Sequence, residues 1–267
     1  MRRWLGLAAL TVAIAVAVTG CGGDAPPTGD VSDAPASVSW NRDPLAVVFR
    51  AHVTGGNPPA YVRDNTIPEC TLYGDGRVVF LRSNPRTGDY EILFDRVDDR
   101  TIEAFVYDLI VQFRLYTYDS GLARQAPTAE QPVYEQIILN VNDTNHVTDF
   151  FADWPGSYFS DVVERCRKLA AAPRLFRPVG VWVAAYQVPL DLMRPYQIWD
   201  PSAGGFSLEG LALEGGKRWV EGGLAEYFWN QVIVSPIPSW FIEGSLSFAL
   251  SVQAPGITLD APAAPAQ

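Results

Sequence analysis

A nucleophilic site in this chain of 267 residues would have to take its base from His52 or His146, the two histidines, and set it beside a serine or one of three cysteines. His52 lies in the apolar run Ala46 to Val53, and His146 follows a polar turn, positions that suit structural roles. The nucleophile signatures are missing as well. Gly205-Phe206-Ser207-Leu208-Glu209-Gly210 misses the Gly-x-Ser-x-Gly elbow by one residue, and no serine stands three positions before Lys168 or Lys217. No catalytic residue is assigned on these grounds.

Metal and phosphate chemistry lacks its donors. Structural zinc wants clustered His and Cys. The segment Asn140-Val141-Asn142-Asp143-Thr144-Asn145 resembles a calcium loop, but its sixth position, a turn glycine in such loops, is Asn145. Its twelfth, where a bidentate glutamate belongs, is Phe151, so a hairpin turn explains it better. Gly215-Gly216-Lys217-Arg218 has no Walker spacing. Neither a metal nor a cofactor is expected.

Carboxylates are plentiful, and glycoside hydrolysis needs only two of them at a fixed separation. Asp149 with Asp153, Glu221 with Glu226, and Asp95 with Asp98 are the pairs to consider. Against 30 Asp and Glu in the chain, such pairs also arise by chance on a solvated surface. The formal net charge of −10 disfavours nucleic acid and electrostatic adhesion to anionic lipid. Aromatic rings offer a different chemistry, stacking on sugars or anchoring a protein partner. Trp182, Trp229 and Trp240 fall in apolar patterns and read as core. Trp154 and Trp199, in Asp153-Trp154-Pro155-Gly156 and Ile198-Trp199-Asp200-Pro201, read as loop residues and are the ligand-binding candidates.

The chain opens with Met1-Arg2-Arg3, followed by the uncharged stretch Leu5 to Val18, too short for a bilayer span of roughly 20 residues. Val18-Thr19-Gly20-Cys21 resembles the lipobox of bacterial lipoprotein signal peptides. The resemblance implies cleavage after Gly20, a diacylglyceryl group on the Cys21 thiol, and further acylation. Two or more chains anchor stably, at about 0.8 kcal/mol per buried methylene. Residues 1–20 are therefore expected to be a signal peptide, and residues 21–40, rich in Gly, Pro, Ala, Ser and Asp, a disordered tether. Residues 255–267, ending Ala261-Pro262-Ala263-Ala264-Pro265-Ala266-Gln267, are expected to be a disordered tail. The exported setting favours a disulfide between Cys70 and Cys166, closing a loop of roughly 95 residues; two separate buried thiols are the other arrangement.

These groups must be positioned by the body, residues 41–254. Thr71 to Phe80 places apolar arms around Asp75-Gly76 and predicts a hairpin with a type I′ turn. Asp98 or Asp99 caps a helix whose Ile102, Phe105, Val106, Leu109, Ile110 and Phe113 share a face. Val133 to Val141 and His146 to Phe151 predict a second hairpin across Asn142 to Asn145. Tyr158 to Ala170 predicts a second helix, capped by Ser157 or Ser160, with Cys166 on its apolar face. The hairpin-helix unit thus occurs twice.

The last third reads as more strand-rich. Val181 to Val188 and Phe206 to Leu213 predict strands, and a weaker helix carries Val220, Leu224, Tyr227, Phe228 and Val232. Trp240 to Val252 alternates like one antiparallel strand with a wet side. The expected fold class is α+β, a mainly antiparallel sheet with two or three amphipathic helices on one face. Either one domain or two packed subdomains dividing near residues 172–180 would account for the length. The Leu72-Tyr73-Gly74-Asp75-Gly76 hairpin followed by a capped helix is similar to uncharacterised exported bacterial proteins, which carry no activity to transfer.

The combined expectation is a lipid-anchored envelope protein facing outside the cytoplasm, on the cell membrane or an outer membrane. It acts as a binding or structural module for an envelope protein or glycan, with no nucleic acid partner. An envelope hydrolase using paired carboxylates on glycans, and a protein inhibitor or assembly factor, are the alternatives.

Overall fold

Two apolar faces on one antiparallel sheet organise this protein, a computed structural model of which describes residues 38–122 and 130–266. The strands of that sheet are β1 (Val47–Gly55), β2 (Cys70–Tyr73), β3 (Arg77–Ser83), β4 (Tyr90–Arg96), β5 (Val133–Val141), β6 (Thr144–Asp149) and β7 (Arg174–Leu175). Their spatial order is β6-β5-β1-β2-β3-β4-β7, antiparallel throughout. Between β1 and β2 lies α1 (Ala60–Arg63), while α2 (Asp99–Val111) and α3 (Tyr158–Arg167) follow β4 and β6. A second sheet comprises β8 (Gly180–Val188), β9 (Tyr196–Ile198), β10 (Arg218–Glu221), β11 (Trp240–Glu243) and β12 (Leu246–Gln253), in the order β10-β8-β12-β11-β9. Helices α4 (Pro201–Gly204), α5 (Leu208–Glu214) and α6 (Gly222–Trp229) belong to this half, and α6 runs on into a π-helical turn, Asn230–Val234.

Side chains alternate across strands, so each sheet face has its own residues. On one face of the seven-stranded sheet, Phe49, Leu72, Phe80 and Ile137 pack with Ile102, Phe105 and Leu109 of α2 and Val162 and Cys166 of α3. On the other, Tyr73, Val79 and Ile92 join a second core with Val183, Phe248 and Leu250 of the five-stranded sheet and Phe228 and Trp229 of α6. The α+β class is as expected, built from two sheets. The changeover between them falls after β7, within the stretch where a division was anticipated, but the described residues form one compact unit because the second core spans both sheets.

Both hairpins form, but the type I′ geometry expected of the first is found in the second. Gly76 N–H donates to the Tyr73 carbonyl, so Gly74 and Asp75 are the central residues, and positive φ falls on Gly76 (81°) alone. In the second hairpin Asn142 (φ 51°) and Asp143 (φ 55°) both adopt the left-handed region that a type I′ turn requires. Asp98 caps α2 by accepting the Thr101 N–H at 2.8 Å. The Ser157 hydroxyl instead donates to Asp161 at 2.8 Å, leaving α3 without a side-chain cap on its backbone.

Four expectations are corrected. Phe206 to Leu213 is not a strand: Ser207 caps α5, and Glu243 from β11 closes the cap, accepting from Ser207 Oγ at 2.7 Å and Leu208 N–H at 2.5 Å. Trp240 to Val252 is a hairpin turning at Gly244 (φ 60°), and β12 has no wet side, since Ser247, Ser251 and Gln253 are buried. The tether does not extend to residue 40: Trp40 is buried and its indole N–H donates to the Gly74 carbonyl, while Ser39 N–H donates to Asn142 Oδ1 at 2.8 Å. The C-terminal stretch is not loose from residue 255, because Ile257 and Thr258 are buried and Leu259 N–H donates to the Thr66 carbonyl.

Candidate functional site

Cys70 and Cys166 are joined, with Cα atoms 6.3 Å apart, tying β2 to α3 inside the first core. Both thiols are thereby consumed, and Cys21 lies outside the described residues. No hydrogen bond joins either histidine to a serine or cysteine among the described residues. Burial first, then the Arg50 charge, pushes the His52 imidazole down to about 4, against an opposing pull from Asp260. Its Nδ1 has no hydrogen-bond partner. His146 Nε2 sits 3.1 Å from the Leu115 carbonyl, with the ring edge-on to Tyr116.

The acidic pairs are occupied by local structure. Asp149 accepts the Phe151 N–H at 3.0 Å, and Asp153 takes the left-handed conformation (φ 64°) at the end of that turn. Asp95 accepts the backbone N–H groups of Arg96 and Ala172, while Asp98 is the α2 cap. Glu221 accepts the Trp219 indole N–H at 2.7 Å, and Glu226 accepts from Arg177 at 3.3 Å. Glu135, a carboxyl that sequence reasoning missed, is held above the usual range by burial and by the nearby Glu69 charge. Glu69 itself pairs with Arg167 at 2.7 Å. Among the described residues, no group of three or more His, Cys, Asp or Glu is arranged to hold a metal ion.

The two tryptophans assigned to ligand binding are interior, contrary to expectation. Trp154 (9% exposed) packs in the first core and donates to Thr148 Oγ1 at 3.0 Å; Trp199 (7%) packs in the second and donates to the Phe206 carbonyl at 3.0 Å. A nearby acceptor satisfies each indole, so each ring can be buried from a loop. Of the three expected in the core, Trp229 is buried, whereas Trp182 and Trp240 are half-buried.

A groove of about 580 Å³ opens elsewhere, between α1, β3, β4, β12 and the segment leading into β11. Tyr61, Tyr90 and Trp240 supply rings, Pro236 and Pro238 a stiff wall, and Leu81 an apolar base. The proline segment is held where it crosses: Ser239 N–H donates to the Gln231 carbonyl at 2.9 Å, its hydroxyl to Gln231 Oε1 at 3.0 Å, and Trp240 N–H to the Pro195 carbonyl at 2.9 Å. Arg194 is the charged lining residue, its guanidinium 5.3 Å from the Trp240 ring and 3.7 Å from Asp191. No carboxylate or imidazole lines this groove among the described residues, and its rings and prolines offer stacking and apolar contact. Its signal in the sequence was the Pro236-Ile237-Pro238 run beside Trp240, which no local motif connects to Tyr61 or Tyr90.

Comparison with family models, with curated proteins and with solved structures finds no match to the chain. Among the described residues, no helix is long and apolar enough to cross a membrane.

Proposed function

We propose that this chain is a bacterial envelope lipoprotein, anchored through Cys21 and presenting its α+β domain outside the cytoplasm as a binding module. The lipobox-like Val18-Thr19-Gly20-Cys21 supports the anchor. The observation that carries the binding role is the open groove of Tyr61, Tyr90, Trp240 and two prolines, which has aromatic and apolar surface and, among the described residues, no carboxylate or imidazole. A glycan hydrolase would need two carboxyls facing one another in a cleft, and Asp95, Asp98, Asp149, Glu221 and Glu226 instead hold caps, turns and neighbouring side chains.

Intact-mass measurement on the membrane-extracted chain, beside a Cys21→Ala variant, tests the anchor. An acylated N-terminal Cys21 in the wild type, lost in the variant, is the expected outcome. A soluble chain with unmodified Cys21 defeats the lipoprotein reading.

A further inference from the structure

The end of the described chain lies on an aromatic pair. Trp182 of β8 and Trp219 of β10 are register partners, with ring centroids 5.3 Å apart and planes at 61°. The Trp219 ring lies against Gly180, where an added Cβ would come within 2.2 Å of it, so glycine is what allows this approach. The Trp182 indole N–H donates to the Ala263 carbonyl at 3.1 Å. Beside the pair is a cleft of about 440 Å³ lined by Val179, Trp219 and Glu221 on the body and Ala264, Pro265 and Ala266 on the terminal segment.

The terminal segment has the composition that such a surface recognises. Pro262 and Pro265 are three residues apart, which places them on one face of a polyproline II helix. Proline fixes its own φ, and the residues before each proline, Ala261 and Ala264, are pushed toward extended backbone. Pro262 to Ala266 are exposed, and among the described residues the Trp182 indole supplies their hydrogen bond. Aromatic rings plus one indole N–H aimed at a carbonyl between two prolines form the apparatus of Pro-x-x-Pro recognition.

We propose that Trp182 and Trp219 form a proline-reading surface, covered in cis by the chain's own Pro262-Ala263-Ala264-Pro265 and able to take a Pro-x-x-Pro segment of a different protein when that segment lifts. Glu221 and Arg177 both line the cleft, so the surface reads proline and backbone rather than the charge of the partner segment. This surface is separate from the groove and independent of the Cys21 anchor.

The test uses the full chain and a fluorescein-labelled peptide, Ala-Pro-Ala-Ala-Pro-Ala-Arg, read by fluorescence anisotropy. The P262S/P265S double variant weakens the internal competitor and is expected to bind the peptide at least about fivefold more tightly than wild type. Adding Trp182→Phe, which keeps an aromatic ring but removes the N–H, is expected to reverse about fivefold of that affinity. In NMR spectra, the Trp182 indole proton is expected to shift between wild type and P262S/P265S. Equal peptide binding by wild type and the double variant, equal binding of a peptide with serines for both prolines, or an unmoved indole proton would overturn the proposal. So would concentration-dependent dimers of the wild type that P262S/P265S abolishes, since the occupant would then be a second copy's tail.

Discussion

The side-chain amide of Asn65 stands in for a missing strand beside Val252. Its Oδ1 accepts the Val252 N–H at 2.6 Å, and its Nδ2 donates to the Leu250 carbonyl at 2.9 Å. β11 pairs with β12 only from Leu246 to Phe248, so the distal half of that edge would otherwise present unpaired backbone groups beneath α1. Asn65→Leu, similar in size but unable to pair, is expected to lose about 2 kcal/mol, roughly 1 kcal/mol per net hydrogen bond. Urea unfolding gives that difference, and hydrogen exchange at Val252 should accelerate before exchange in the α2 core changes.

The Leu72-Tyr73-Gly74-Asp75-Gly76 hairpin is a structural knot. A Cβ on Gly74 would lie 2.0 Å from the Asn41 carbonyl oxygen and 2.7 Å from that of Asp43, both main-chain atoms with nowhere to retreat. Gly74 N–H also donates to the Ala46 carbonyl, and Asp75 Oδ2 receives Arg77 Nε and Arg96 Nη2, each at 2.9 Å. Gly74→Ala is therefore expected to cost about 2 to 3 kcal/mol through steric overlap. Asp75→Asn, by contrast, weakens only its ion pairs. A melting-temperature comparison of the two variants should rank them in that order.

Cys70 and Cys166 are fully buried and 96 residues apart in sequence. On the chain-entropy model their bridge contributes about 4 to 5 kcal/mol. The double substitution to alanine should lower the urea midpoint by a corresponding amount. Because both sulfurs lie inside the first core, thiol labelling after mild reductant should be negligible in native buffer and complete once denaturant is added. Rapid labelling without denaturant would show that the β2–α3 junction opens locally.

Local signals made the two hairpins, α2, α3 and β8 legible: each is a continuous run whose apolar period is contained within the run, and α2 carries its own Asp98 cap. What was not legible depended on distant partners. Leu208 and Leu211 fit a strand or a short helix equally well, and the carboxylate that settles the choice, Glu243, arrives from 35 residues downstream. Ser247, Ser251 and Gln253 alternate as a wet face would, yet Ser247 reaches the Val188 carbonyl and Gln253 the Leu259 carbonyl, so small or satisfied polar groups are buried. The groove draws Tyr61, Tyr90 and Trp240 from three separated segments, and no window of sequence contains them together.

His52 gives the fold an acid-sensitive element. It lies beside Arg50 and Asp260, is 5% exposed, and leaves Nδ1 without a hydrogen-bond partner among the described residues, as does Arg50 Nε. Burial and the Arg50 charge hold the folded imidazole down to about 4, while the unfolded chain titrates near the ordinary 6.5. As pH falls below 6.5 the unfolded state takes up the proton first, so stability is lost progressively toward pH 4, with a ceiling of about 3 kcal/mol. Glu91, held below its usual range by Arg82, stays ionised across the upper part of that window, while Glu135, held above it, acts in the opposite sense and is common to both proteins compared below. Urea midpoints measured from pH 7 to pH 5 should therefore fall more steeply for wild type than for His52→Gln. Parallel slopes would mean that His52 titrates alike in the folded and unfolded chain, so that burial and the Arg50 charge do not lower it.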